Sequence, residues 1–522
     1  MKTKCIIIMW CLCSLTVIAQ TKYYVNQTTG NDTNDGLSWS KAFASIQSAL
    51  DKVTSGNEIW VAAGIYLPTK KMTGIEEPIS DRYKTFIIPN GVRLYGGFPT
   101  QADDNTGMDK RDWEIHTTVL SGDLNNNDLD DFTNMEDNVY RVVTLFNADK
   151  STLIDGFTIT GGNVDYWVPL RMLQGSGICA ISNNSFSSPS SPTLRNLIIE
   201  GNASTGGGAG FSNYSTGDAC PAISNTIIRR NKSGEYGGGF ANQAVGKSSP
   251  ILENVIISGN QAVVGGGMYC LSESTEETSP VLTNVLVHGN RSEISAGGIC
   301  LYAYLGNIKP VLTNVTIAGN MAGNQGGGLL CLAYSGVSSP EIRNTVISGN
   351  KAKEYPNFVT EENNGSIPDI QYSIINESTD ISALKFVRAV SADNTPTTDG
   401  DYRPDDGSPL INKGHSIFAK IKVDLAGKPR IFDQVVDIGA YEYQQLSSVF
   451  IPEIIAEKNI WAENGSLYVK LAQPATIHIY SANGILIRQV KLGEGTQSID
   501  LPQGFYIVSL DSGTGTKVYI SK

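Results

Sequence analysis

Residues 249–270 read SPILENVIISGNQAVVGGGMYC, and residues 279–300 read SPVLTNVLVHGNRSEISAGGIC. The two stretches share one order: a proline, an aliphatic residue, an Asn, an aliphatic run, a second Asn and a glycine cluster. The pattern recurs six times, with prolines at 192, 221, 250, 280, 310 and 340, a beat of 29 or 30 residues. A fixed period of this length is the signature of a solenoid, in which each unit is too small to bury its own apolar face and must stack on the next.

The runs between the marks, such as TLRNLIIEGN and ILENVIISGN, are short and β-branched, too short for the helix of a helical repeat. Three strands and three turns per period make a parallel β-helix. Two aliphatic columns face inward: Leu194, Ile223, Leu252, Leu282, Leu312 and Ile342, and Ile199, Ile228, Ile257, Val287, Ile317 and Ile347. A third is expected after the glycines, at Ala209, Phe240, Met268, Ile299 and Leu329. Asn columns at 196, 225, 254, 284, 314 and 344, and at 202, 231, 260, 290, 320 and 350, are read as structural, because Asn tolerates left-handed turns and its amide reaches the turn of a neighbouring coil.

Outside the repeat, Lys2 and Lys4 precede the apolar run CIIIMWCLCSLTVIA, and Val17 and Ala19 are small residues placed for cleavage; residues 1–19 read as a secretory signal peptide. No stretch offers the ~20 apolar residues of a membrane span. Five cysteines remain beyond that leader, an odd number without a CxxC pair, and they are read as small buried hydrophobes rather than disulfides or zinc ligands. A net charge of -12 excludes nucleic acid and anionic membranes as partners.

A helix from a Ser40 cap through Val53, with Phe43, Ile46, Leu50 and Val53 on one face, is expected to plug the N-terminal end. Residues 20–445 are assigned to the solenoid: regular repeats at about 157–350, final coils and a closing cap at 351–445. A linker follows at 446–459. In 460–522, SLYVKL, TIHIY, ILIRQV, SIDL, FYIVSL and KVYISK alternate as strands, with Asn483-Gly484 a hairpin turn, and predict a small β-sandwich.

The elements ISGNQAVVGGGM and IAGNMAGNQGGGL are similar to the repeats of polymorphic outer-membrane proteins. YYVNQTTGNDTNDGLSWSKAFASIQSALDKV, RDWEIHTTVLSGD, DYRPDDGSPLINKG and DLAGKPRIFDQVVDIGAYEY resemble pectin-lyase-like right-handed β-helix surface proteins. IHIYSANGILIRQV, IDLPQGFYIVSL and KVYISK resemble the type A C-terminal sorting domain of type IX secretion. That last resemblance implies contact with a secretion machinery and attachment to the outer-membrane surface of a Gram-negative bacterium. The fold expectation is thus all-β: a right-handed parallel β-helix with a capping helix, followed by a β-sandwich, in a monomer.

For chemistry, a lyase on this fold needs carboxylates, a cation and a Lys or Arg base gathered over one sheet. The most polar column, Glu200, Arg229, Ser258, His288, Ala318 and Ser348, offers an ion pair between adjacent coils but no carboxylate beside His288, so no residue is assigned a catalytic or cofactor-binding role. The neighbouring column Ile198, Ile227, Ile256, Leu286, Thr316 and Val346 is either an outward aliphatic strip or additional core. GDLNNNDLDDFTNMED imitates the start of a calcium loop, with Asp123, Asn125, Asn127, Asp128 and Asp130 as metal ligands; Asp128 stands where such loops need Gly, and Asn134 where they need Glu. Calcium is the only cofactor candidate. The functional expectation is a secreted, surface-attached β-helix that binds glycan or another surface. The alternative is a polysaccharide lyase or glycoside hydrolase using the loops at 99–139, 163–175 or 351–405, where Trp113 and Trp167 are aromatic groups for sugar stacking.

Overall fold

In the computed structural model, the described residues are 20–72, 80–165, 175–182, 189–360, 367–376, 380–444, 460–463, 465–471, 473–481, 486–510 and 516–520. The leader 1–19, the segment 446–459, Trp167 and the Asn483-Gly484 turn lie outside them. The chain divides into two compact units, Met1–Gln444 and Gln445–Lys522.

The first unit is a right-handed parallel β-helix. Strands one period apart pair in parallel, as where Ala222–Arg229 pairs with Ile251–Ser258 and the latter with Val281–His288, so that Ile223, Leu252 and Leu282 meet in register. The same stacking carries one long sheet from Lys22–Val25 to the last coil at Asp369–Gln371 and Ile374–Ile375. A second sheet runs from Phe86–Ile88 to Phe358–Thr360, and a short third one lines the remaining corner. The two predicted aliphatic columns are buried throughout and form one continuous core with the third. In that third column the inward partner of Phe240 is Phe211, not Ala209: the rings stack at 5.0 Å. No residue is inserted here: the 29-residue spacing holds, Gly208, Ala209 and Gly210 take the places of Gly237, Gly238 and Gly239, and Gly206 and Gly207 precede the turn.

Both Asn columns serve the backbone. Asn196, Asn225, Asn254, Asn284, Asn314 and Asn344 all take left-handed φ values between 47° and 56°, the conformation that Asn adopts at least cost after Gly. Asn202 to Asn350 are buried and form a ladder. Each side-chain oxygen accepts from the backbone N–H and the amide of the Asn one coil earlier, as Asn290 does from Asn260 at 3.0 Å and 3.0 Å.

The N-terminal plug is shorter than predicted. An α-helix spans Ile46–Leu50 and is capped by Ser45, whose hydroxyl accepts from Ser48 N–H; Ser40 is engaged elsewhere, bonding Asp104 at 2.8 and 2.7 Å. Phe43, Ile46, Leu50 and Val53 are nonetheless buried in the core, as their apolar spacing predicts.

The residues expected to close the C-terminal end lie along the flank of the long sheet instead. Leu384, Phe386, Tyr402, Leu410, Ile438 and Ala440 pack on Leu286, Ala318 and Val346. The outward aliphatic strip of the later coils therefore has a partner within the chain, and burying it removes several apolar side chains from water at about 1.5–3 kcal/mol each.

The second unit comprises two antiparallel sheets. One joins Ile460–Glu463, Ser466–Leu471 and Gly495–Asp500; the other orders Leu486–Leu492, Ala475–Ser481, Gly504–Leu510 and Thr516–Ile520. Leu467, Val469, Ile477, Ile479, Val508 and Ile520 are buried between them.

Candidate functional site

Outward positions on the long sheet alternate with core positions, so each coil adds one residue to a row facing away from the core. One row begins Ile65, Val119, Thr158, Ile198, Ile227, Ile256. A parallel row begins Ser121, Thr160, then Glu200 and Arg229. At the C-terminal end the closing segment covers these rows. At the N-terminal end the loop 123–135 overhangs them and leaves a cleft of about 250 Å³. Ile65, Val119, Thr160 and Gly161 are on its sheet side; Asp123, Asn126, Asp128, Asp130 and Phe132 come from the loop, and Arg230 from the neighbouring coil.

The charges are arranged in pairs. Glu200 accepts from Arg229 at 2.7 Å and from Arg230 at 2.9 Å, and Arg230 reaches Asp130 at 3.3 Å. The adjacent-coil pair read from the sequence thus exists and is joined by Arg230, which sequence reasoning missed. Arg230 stands in a left-handed turn (φ 52°), at the position held by Gly201, Gly259, Gly289, Gly319 and Gly349 in the other coils, so its departure from the glycine column was the signal in the sequence.

The five candidate calcium ligands are turned toward the loop itself. Asp123 accepts from the N–H groups of Asn127 at 3.2 Å and Asp128 at 3.0 Å, and the Asn125 N–H donates to Asp137 at 3.0 Å. Asp128 accepts from the Asn138 amide at 2.7 Å, Asp130 faces Arg230, and the Asn127 amide lies 3.2 Å from both Asp137 and Asp123. Among the described residues no three His, Cys, Asp or Glu side chains gather as a metal-binding group. A donor set committed to N–H groups offers a cation few free lone pairs.

Burial pushes the Asp128 carboxyl up to about 6; the Asn138 amide opposes this, and the negative charges of Asp123, Asp137 and Glu136 add to it. Its Oδ1 is enclosed without a hydrogen-bond partner among the described residues. Near neutral pH this carboxyl exchanges its proton more readily than an ordinary aspartate, and it lines the cleft.

The remaining sequence candidates are structural. His288 is buried against Tyr402, ring centroids 4.9 Å apart, where loss of solvation pushes its imidazole down to about 4. Asp437 and Glu442 hold the closing segment: Asp437 accepts from Asn412 N–H at 2.7 Å, and Glu442 from Phe432 N–H at 2.9 Å and Arg430 at 3.2 Å. Asp401 pairs with Arg403 at 2.9 Å. Trp113 backs onto Gly97, where an added Cβ would meet the Trp113 Cα at 2.8 Å. Cys179, Cys270, Cys300 and Cys331 are buried thiols, and burial raises Cys270 and Cys300 to about 12.

These features define a parallel β-helix protein with a roofed cleft on the flank of its long sheet. A family model described as a protein of unknown function (DUF1565) matches residues 28–297, more than half of the 522 residues, and the chain belongs to that family. No curated protein matches it. Among solved structures it is similar to pectate lyase Pel9A, with a TM-score of 0.46 and 14% identity over 82% of this chain and 98% of that one. It is also similar to a rhamnogalacturonan lyase, with a TM-score of 0.30 and 12% identity over 74% and 97%.

Proposed function

We propose that this protein is a secreted, surface-attached β-helix that binds a neutral glycan in the cleft between the sheet and the loop 123–135. The observation that carries this reading is the cleft's composition. Ile65 and Val119 present an apolar surface to the C–H face of a sugar ring. Asp123, Asp128, Asn126 and Thr160 surround it with acceptors and donors for hydroxyls. Arg230, the cation that lines the cleft, is engaged by Glu200 and Asp130, so a uronate carboxylate would meet Asp123, Asp128 and Asp130 without a free cation among the lining residues to balance it.

The second reading, a uronate lyase or a glycoside hydrolase, draws support from the convergence of three carboxylates and an Arg in one cleft. Against a lyase stands the engagement of Arg230 by two carboxylates, which leaves it poorly placed to take a sugar proton.

The test is glycan-array and affinity-electrophoresis binding with neutral and polyuronate polymers, alongside Thr160→Trp, which fills the cleft from a half-buried, outward-facing sheet position. Binding to neutral polymers that falls at least tenfold in the variant, a loss of about 1.4 kcal/mol, is expected. Unsaturated products from a polyuronate would replace this reading with the lyase.

Surface attachment rests on the resemblance of residues 460–522 to the type A sorting domain. Removing them is expected to leave the β-helix inside the outer membrane of the producing cell, as read by fractionation and surface proteolysis; unchanged surface exposure would remove that part of the proposal.

A further inference from the structure

The two ends of the β-helix are finished differently. At the N-terminal end the inward residues are covered: Val25, Ile46, Ala49 and Leu50 are buried together, and Tyr23 stacks on Phe43 at 6.3 Å. At the C-terminal end the Leu194 column terminates on Ile370, which is 40% exposed although it occupies a core position, and the other two columns end on half-buried Phe358 and Ile375. The closing segment leaves this end because it runs back along the flank.

The terminal strand also presents backbone. The N–H of Asp369 donates to Pro340 in the coil beneath. In a parallel ladder the next residue's groups then point the opposite way, so Ile370 directs its N–H and C=O outward along the axis. No strand among the described residues pairs with that side. Around this edge lie Ile367, 73% exposed, Tyr372, 48% exposed, and Ile417, 72% exposed. They are linked through Tyr372, 4.6 Å from the His415 ring and 6.1 Å from Phe418.

We infer that this end is an interface at which two copies of the chain meet tail to tail, strand Asp369–Gln371 pairing antiparallel with the same strand of the second copy about a two-fold axis, Ile370 opposite Ile370. An open edge of N–H and C=O groups calls for a strand as its occupant. Head-to-tail stacking is excluded by the covered N-terminal end, which leaves the closed two-fold arrangement. Charge is offset in part: Arg343 pairs with both Asp369 and Glu341, which sets one guanidinium against the two carboxylates beside each edge. Pro368 lacks an N–H and confines the pairing to the three residues that follow.

Sedimentation velocity on the full chain across about 1–100 µM is expected to show a concentration-dependent dimer. Ile367→Asp and Ile417→Asp, both at exposed positions, are each expected to weaken it at least tenfold with unchanged thermal unfolding. Hydrogen exchange on the unmodified protein is expected to show protection of the Ile370 amide that rises with concentration. A monomer throughout, a dimer indifferent to both substitutions, or protection of Ile370 independent of concentration would each overturn the inference; the last would assign the edge to the chain's own residues.

Discussion

At the scale of single residues, the two asparagine columns look alike in the sequence and differ in energy. Replacing Asn290 by Ala removes the acceptor of Asn260's backbone N–H and amide inside the core, which is expected to cost about 3 kcal/mol. Replacing Asn254 by Ala affects a surface turn at φ 56°, with an expected cost of about 1 kcal/mol, and Asn254→Gly is expected to be close to neutral. Urea denaturation of the three variants checks the ranking; equal losses for Asn290→Ala and Asn254→Ala would refute the buried ladder. Both columns were legible as turns and coil-to-coil bonds. Which positions lay inside was not: Asn202 to Asn350 are buried within the coils, and of the turn column Asn284, Asn314 and Asn344 are buried as well, but under the closing segment. His288 illustrates the same limit: no neighbour in its column marks it as buried, and only Tyr402, 114 residues later in the chain, covers it.

At the scale of elements, the packing of the closing segment involves two groups whose titrations oppose each other, His288 on the coil beneath it and Glu442 within it. Burial lowers His288 from its ordinary 6.5 to about 4. Between those values the unfolded chain binds the extra proton, so this group's contribution grows as pH rises and is complete above 6.5. Burial raises Glu442 from 4.5 to about 7, with Asp437 adding to the shift. Here the folded chain binds the extra proton, so the contribution is complete below 4.5 and is lost as pH rises through 7. Burial raises the Asp437 carboxyl as well, so between about 4.5 and 6.5 the two carboxyls and His288 move the stability of the closing segment in opposite directions. His288→Leu should leave stability falling with rising pH, and Glu442→Gln should leave it rising. Hydrogen exchange in residues 384–440 across that range reads both slopes; a parallel response of the two variants would contradict the assignment. The plug shows how far an element can be read: the buried face of Phe43, Ile46, Leu50 and Val53 follows from apolar spacing, whereas the Ser45 cap depends on where the chain enters the core. Among several serines, spacing alone does not choose one.

At the scale of the molecule, each coil rests on its neighbours through equivalent contacts, so a solenoid tolerates the loss of a whole unit but not of part of one. Deleting residues 250–279 joins Ser249 to Pro280 and brings Leu282 over Ile223, preserving all three core columns. A folded protein with its β circular-dichroism signal and a reduced denaturation midpoint is expected. Deleting only 250–264 removes half a coil and is expected to abolish cooperative folding. Equal outcomes for the two deletions would argue against equivalent coils. The cleft belongs to this scale too: Ile65, Val119, Thr160 and Arg230 are far apart in the chain and adjacent only because coils stack.

The sequence alone determined the period, the strand character of the coils, two of the three core columns and the turn asparagines, because these follow from contacts that repeat every 29 or 30 residues and leave a mark at each repetition. It also supplied the Glu200–Arg229 pair, a neighbour relation between successive coils. Tertiary structure decided the lateral course of the closing segment, the third partner Arg230 and the open C-terminal edge. Each of these arises where the repeat is interrupted or where distant segments meet once, and a contact made once leaves no periodic trace in the chain.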